Sequence, residues 1–339
     1  MSWFTEIGLF ILAAIGNMIL SGIATVIYQS QNEKMKSTLM LFLQTSVAGV
    51  VFIIIASAMG DFKELFKIDL YPFLAFVFAA ITGIVIGNFL YLTSMRLIGV
   101  SKAYPISMTY LLMTYIMEML FLEGKFKWLM LVGIALVTVG VVLISLSKVN
   151  KKKIDTIEIT ENEIIETHDS IEKNEVTITE QPESPLFLKL KKHANLVGVS
   201  FALIAALTWA SGTSLIKYGL NNTPDVDIIP INAARMIYLI PITFTAFLFT
   251  YRKPPKKTPG WKSYLLVGIA ALIGLVGANI LYLIALDSLG TSTPAAIAAA
   301  GPMIATPLSI IFLKEKVDWK IILGTAFTIG GLIVISLII

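Results

Sequence analysis

The sequence predicts an all-α integral membrane protein of ten transmembrane helices in two inverted five-helix repeats. Three observations carry this prediction. The 339 residues are 56% hydrophobic and only 14% charged, with a mean hydropathy of +0.83, whereas a soluble domain is about a quarter charged. Ten apolar runs near twenty residues follow one another, and at about 1.5 Å per residue each crosses a hydrocarbon core of about 30 Å. The second half also repeats the first at an offset of 191 positions, Asn88 falling on Asn279.

The runs lie at about 6–28, 38–58, 72–95, 103–122, 128–147, 195–216, 229–250, 264–286, 294–313 and 319–339. The first opens on Met1–Glu6, which carries an acid and no base, and its apolar stretch is too long for a cleavable signal; it is read as a retained helix. All ten are continuously apolar rather than alternating, which excludes the strands of a β-barrel. Pro105, Pro294, Pro302 and Pro307 fall in the fourth and ninth runs, where proline frees carbonyls and permits bends. Gly83 and Gly87, and the seven-residue spacings Gly133/Gly140 and Gly324/Gly331, suit close helix packing.

One stretch stands apart. Residues 148–192 hold 8 Lys and 10 Asp or Glu, show no sustained period, and read as a disordered, solvated linker. It divides a first unit, 1–147, from a second, 193–339. Its basic ends, Lys148 with Lys151–Lys153 and then Lys189, Lys191 and Lys192, suit anionic lipid headgroups; plain solubilising charge is the alternative.

Laying Asn88–Leu146 on Asn279–Leu337 needs no gap and gives 17 identities in 59 positions, where chance gives roughly a tenth. Asn88/Asn279, Tyr91/Tyr282, Gly99/Gly290, Ser101/Ser292, Lys125/Lys316 and Trp128/Trp319 are among them. An odd number of helices per unit makes the second unit enter the bilayer from the opposite side. Inverted units of this kind support alternating access, with a site near the midplane between them.

Both halves resemble the EamA domain of the drug/metabolite transporter superfamily. YLTSMRLIGVSKAYPIS (91–107) resembles its third-to-fourth-helix turn, and FLKEKVDWKIILGTAFTIGGLIVIS (312–336) its ninth-to-tenth-helix end, with Glu315 in the family's acidic position. In the first half Gly124 stands opposite Glu315, with Glu123 beside it. The resemblance implies a ten-helix transporter whose fifth and tenth helices support the rest.

Lys and Arg divide unevenly between faces: 19 on the linker's side, 5 on the side of the termini, with Lys173 in the linker and Arg235 inside a helix completing the 26. The positive-inside rule then puts the linker in the cytoplasm and both termini outside. The resemblance implies the reverse, since ten-helix members are generally drawn with cytoplasmic termini.

Ionisable groups within a span are costly and mark candidate sites. Arg235, about seven residues into the seventh run, suits a substrate carboxylate or phosphate; a structural pairing is the alternative, and its repeat counterpart is Gln44. Asn88 with Tyr91, and Asn279 with Tyr282, are spaced i to i+3 and share a helix face, suited either to a polar pocket or to interhelical hydrogen bonds. Asn17, Ser21, Trp209, Ser211, Thr213 and Tyr110 are weaker candidates of the same kind. Glu118, four residues from its helix end, suits a coupling proton if buried and snorkelling if not.

Thiol chemistry and zinc–cysteine sites need a cysteine, and there is none. His168 and His193 are the only histidines, and no HExxH, GxGD, DDxxD, GxSxG or GxxxxGK[ST] pattern occurs. The reading is therefore non-enzymatic, without cofactor, metal or nucleic-acid partner. It is a secondary transporter of a small metabolite in the cytoplasmic membrane, with proton coupling through Glu118 as an option and oligomeric state left open. A receptor or scaffold signalling through the linker, and a passive facilitator of the same fold, are the competing readings.

Overall fold

The computed structural model describes residues 2–32, 34–59, 68–121, 128–147, 193–223, 226–250, 259–289 and 292–336; the segment 148–192 and Glu123 and Gly124 lie outside them. Twelve helices are described. In chain order they are α1 (Ser2–Gln31), α2 (Ser37–Met59), α3 (Leu70–Ile98), α4 (Val100–Ser107), α5 (Tyr110–Phe121) and α6 (Leu129–Ser145), then α7 (Ala194–Asn221), α8 (Ile228–Thr250), α9 (Trp261–Leu289), α10 (Ser292–Ala299), α11 (Pro302–Leu313) and α12 (Trp319–Ser336).

Among the described residues, six helices are long and apolar enough to span a bilayer by themselves: α2, α3, α7, α8, α9, and α1 over Gly8–Gln31. The fourth and ninth runs differ from the single helices expected. Each is broken in two, at Met108–Thr109 and at Ala300–Gly301. Proline supplies the reason at the second: Pro302 opens α11 and cannot donate the amide hydrogen bond that would continue α10; at the first, the Thr109 amide turns to Ile106 O at 3.2 Å in place of the next α-helical bond.

Element bounds recur at the 191-residue offset well outside the aligned stretch. Ser37 and Met59 bound α2, and Ile228 and Thr250 bound α8; Leu70 and Ile98 bound α3, and Trp261 and Leu289 bound α9. Both long third-position helices widen into a π-helical turn at the same place, Ile81–Gly87 in α3 and Leu272–Ala278 in α9.

Packing is reciprocal between the halves. Helix α1 lies along α9, and α7 lies along α3. Helix α2 runs antiparallel to α8, because Thr38 meets Thr250 at 2.7 Å and Thr45 meets Thr243 at 2.7 Å, seven residues up one helix matching seven down the other. Such bonds contribute about 0.6 kcal/mol each in a membrane. Helices α6 and α12 touch backbone to backbone: a Cβ on Gly140 would lie 2.5 Å from Gly324 O, and one on Gly331 would lie 2.6 Å from Gly133 O.

The outer surface is apolar, with Leu9, Leu12, Ile54, Phe78, Phe249, Ile311 and Phe312 all exposed. On a soluble protein so much exposed apolar surface would drive association. Tyr71, Trp128, Trp261 and Trp319 stand exposed at helix starts, where amphipathic rings meet headgroups.

Candidate functional site

A cavity of about 270 Å³ lies between the two halves. It is lined from α1, α2, α3, α4, α7, α8, α9 and α10, with Tyr110 of α5 and Met108 at the break; α6 and α12 contribute no lining residue. Both π-helical turns reach it, through Gly83 and Ile84 on one side and Gly274 and Leu275 on the other. A π turn spreads the carbonyls and often accompanies a site.

The first wall is a polar stripe on α1. Asn17, Ser21, Thr25 and Tyr28 are spaced four, four and three residues apart, so they stack on one helix face. Ser21 Oγ donates to Asn17 Oδ1 at 3.1 Å, and Tyr91 donates its hydroxyl hydrogen to Thr25 Oγ1 at 3.3 Å.

The second wall is aromatic. The Trp209 indole N–H donates to Asn88 Oδ1 and to Gly83 O, both at 3.1 Å. A Cβ on Gly87 would lie 2.6 Å from the indole, so glycine there admits the ring. Trp209 stands edge-on to Tyr91 at 5.0 Å and to Tyr110 at 6.3 Å, and Tyr104 lies 6.0 Å from Tyr91. Tyr110 donates its hydroxyl hydrogen to Ala295 O at 3.5 Å.

The third wall carries the charge. Arg235 is 3% exposed, and its Nη1 donates to Asn232 Oδ1 at 3.1 Å; Asn279 Nδ2 donates to the same oxygen at 3.0 Å. Arg235 Nε has no hydrogen-bond partner among the described residues, nor do Gln44 Nε2 and Tyr28 Oη. Arg235 is the one ionisable cation or carboxylate position in the lining, which otherwise holds amides, hydroxyls, aromatics and apolar groups. The antiparallel register puts Arg235 level with position 53, nine residues from Gln44, or roughly 13 Å along the helix pair.

Most of the residues singled out from sequence come together here: Asn17, Ser21, Gln44, Asn88, Tyr91 and Tyr110 from the first half, Trp209, Thr213, Arg235, Asn279 and Tyr282 from the second. Ser211 does not. It lies off the cavity with its hydroxyl donating to Leu207 O of its own helix at 2.9 Å, because the cavity-facing side of α7 is the one bearing Trp209, Gly212, Thr213 and Ile216. Glu118 belongs to α5, and its side chain lies outside the described residues. Sequence reading missed Asn232, Thr25, Tyr28 and Tyr104. The signal was present for three of them: Asn232 precedes Arg235 by three, and Thr25 and Tyr28 continue the stripe begun by Asn17.

Polar ties gather near the chain ends that flank 148–192. The Glu315 carboxylate accepts from Val100 N at 2.9 Å, Ser101 N at 3.0 Å and Ser101 Oγ at 2.6 Å, satisfying the first amides of α4 as an N-terminal cap does. Gly99 precedes them at φ +79, a conformation open to glycine. Lys102, buried, donates to Ser147 O and to Asn195 Oδ1, and Arg96 donates to Asn32 O and Met35 O at 2.8 and 3.0 Å.

The described helices and their apolar outer surface define a multi-pass helical membrane protein built around a small, largely apolar cavity that holds one guanidinium. The chain belongs to the EamA-like transporter family, which matches it twice, over residues 8–146 and 196–337. No curated protein matches it in sequence. Among solved structures, a chain described as a crystal structure of a protein is similar in fold, with a TM-score of 0.58 at 14% identity, covering 98% of this chain and 97% of that one.

Proposed function

We propose that the protein is a secondary transporter moving a small metabolite, an amino acid-like compound or organic anion, across the cytoplasmic membrane by alternating access. Ten spans form two inverted five-helix units, 1–147 and 193–339, joined by the linker 148–192. The broken helices α4–α5 and α10–α11 serve as the fourth and ninth spans.

The observation that carries this reading is the cavity itself: lined by helices of both halves, largely apolar with Arg235 and a few amides and hydroxyls set into its wall, and placed at the paired π turns. Membership of a transporter family supports it. So does the exchange of partners, α1 on α9 and α7 on α3, since such a seam lets one half rock against the other. The Glu315 and Lys102 ties join the halves at the linker-side end, and transport requires them to part.

The linker faces the cytoplasm in this reading, and both termini face outward, following the excess of Lys and Arg on the linker side. In this orientation Tyr71 and Trp128 mark the outer rim, and Trp261 and Trp319 the inner one. Because the chain has no cysteine, Ser2→Cys creates a single thiol. Labelling of intact cells by an impermeant reagent supports the orientation, and labelling only after permeabilisation overturns it.

Comparison of metabolites accumulated or lost by cells with and without the protein tests the function. Altered pools of a small metabolite, kept when residues 155–182 are deleted, support transport. A response that disappears with those residues favours a signalling role for the linker. Flux that ignores an imposed proton gradient makes the protein a facilitator.

A further inference from the structure

Resting on the transport reading, we infer that the cavity selects a monoanion: a single carboxylate on Arg235, carried by a compact aromatic or apolar body that packs against Trp209 and Tyr91.

Charge comes first. Arg235 is buried, and no carboxylate among the described residues accepts from it or lies in the cavity lining. A guanidinium stays protonated in a protein, so the empty cavity carries one uncompensated positive charge. A charge within a span is tolerated where it faces a polar cavity or a partner. A bound group with one negative charge neutralises it. A dianion leaves one charge in excess, a zwitterion brings an ammonium that finds no carboxylate there, and a cation is repelled.

Donor and acceptor bookkeeping points the same way. Arg235 Nε and Gln44 Nε2, buried on the wall without partners, are donors only. An unmade hydrogen bond at a buried donor is costly, and an acceptor-only group such as a carboxylate removes that cost at Arg235. Asn232 Oδ1 already accepts from Arg235 and Asn279, so it orients the guanidinium and leaves its free edge for the ligand. Gln44, offset by roughly 13 Å in backbone register along the helix pair, offers its amide donor to a further acceptor on the same wall.

Shape completes the argument. A cavity of about 270 Å³ suits a compact ligand, and the edge-on Tyr91–Trp209 pair offers it a rigid apolar surface.

The test uses probes that share a body and differ in charge: 3-phenylpropionate, phenylalanine, 3-phenylpropylamine, 3-phenylpropanol and phenylsuccinate. Binding to the purified full chain is followed by tryptophan fluorescence, with Trp209→Phe as the reporter control, and flux by counterflow in phosphatidylcholine–phosphatidylglycerol liposomes. The expected result is that 3-phenylpropionate binds at least about tenfold more tightly than the other four. Arg235→Gln then loses about tenfold or more for 3-phenylpropionate, and Arg235→Lys, a point charge without the fork, falls between. Retained binding of 3-phenylpropanol shows that each variant is folded.

Tightest binding of phenylalanine, phenylsuccinate or 3-phenylpropylamine overturns the inference, as does an Arg235→Gln variant that binds 3-phenylpropionate unchanged, or absence of binding by all five. The two readings fail separately. Counterflow of a zwitterion or cation keeps transport and removes the monoanion; binding in the expected order without counterflow of any probe keeps the monoanion site and removes transport.

Discussion

Positions 44 and 235 are equivalent under the 191-residue offset, lie on helices that pack against each other, and are both buried in the cavity wall. Yet one is a neutral amide and the other a guanidinium. The scaffold repeats itself and the electrostatics do not. A symmetric pair of arginines would put two positive charges into one low-dielectric cavity, whereas a single one gives the cavity a sign and a direction.

The largest expected effect comes from removing that asymmetry. Arg235→Gln makes the two positions alike and should reduce uptake of an anionic substrate by at least thirtyfold, since truncating one partner of a buried charge pair costs about 2–5 kcal/mol. Arg235→Met should abolish the same uptake while raising the thermal unfolding temperature of the unliganded protein, because an unneutralised buried charge is removed. A fall in that temperature would make Arg235 a structural residue.

Next is the linker-side end, where Glu315 of the second half caps α4 of the first. Glu315→Gln replaces an acceptor of three hydrogen bonds with a group that offers one acceptor oxygen, a loss of about 1–3 kcal/mol. Labelling from the linker side of a single cysteine at Ala24, in the cavity wall, should speed up about tenfold. An unchanged rate would mean that the carboxylate does not hold this end closed.

The two π turns offer a finer contrast. Gly87→Ala should destabilise by about 1–3 kcal/mol, because its Cβ would sit 2.6 Å from the Trp209 ring. The equivalent residue is already Ala278, and the residue equivalent to Trp209 is the flexible Met18. Gly83→Ala, with nothing within 4 Å of an added Cβ, should be neutral or stabilising by up to about 1 kcal/mol in thermal denaturation, whereas Gly274→Ala meets Ala24 at 2.8 Å and should be the worse of that pair. The smallest effect is that of Trp209→Phe, about 1 kcal/mol from the lost indole donor.

Much of the cavity was legible in the residues. The i to i+3 pairs Asn88/Tyr91 and Asn279/Tyr282 share a face in any helix, and an arginine within an apolar run has few tolerable surroundings. Ser211 shows where such reasoning stops: its helix periodicity is known, but which direction faces the partner is set by how α7 lies on α3. Tyr104 was missed because its place depends on the break at Met108–Thr109 and on Gly301, whose missing Cβ leaves room for the Tyr104 hydroxyl.

The sequence by itself determined the apolar segments, the offset that relates the halves, and the one isolated guanidinium, because hydropathy, self-similarity and charge are properties of the chain and need no neighbours. Tertiary structure alone decided that Gln44 and Arg235 share a cavity, that Trp209 closes on Asn88 and Gly83, and that Glu315 caps a helix more than two hundred residues away. These are contacts between helices. They depend on rotation, register and close approach at glycines, and no periodicity within a single helix specifies them.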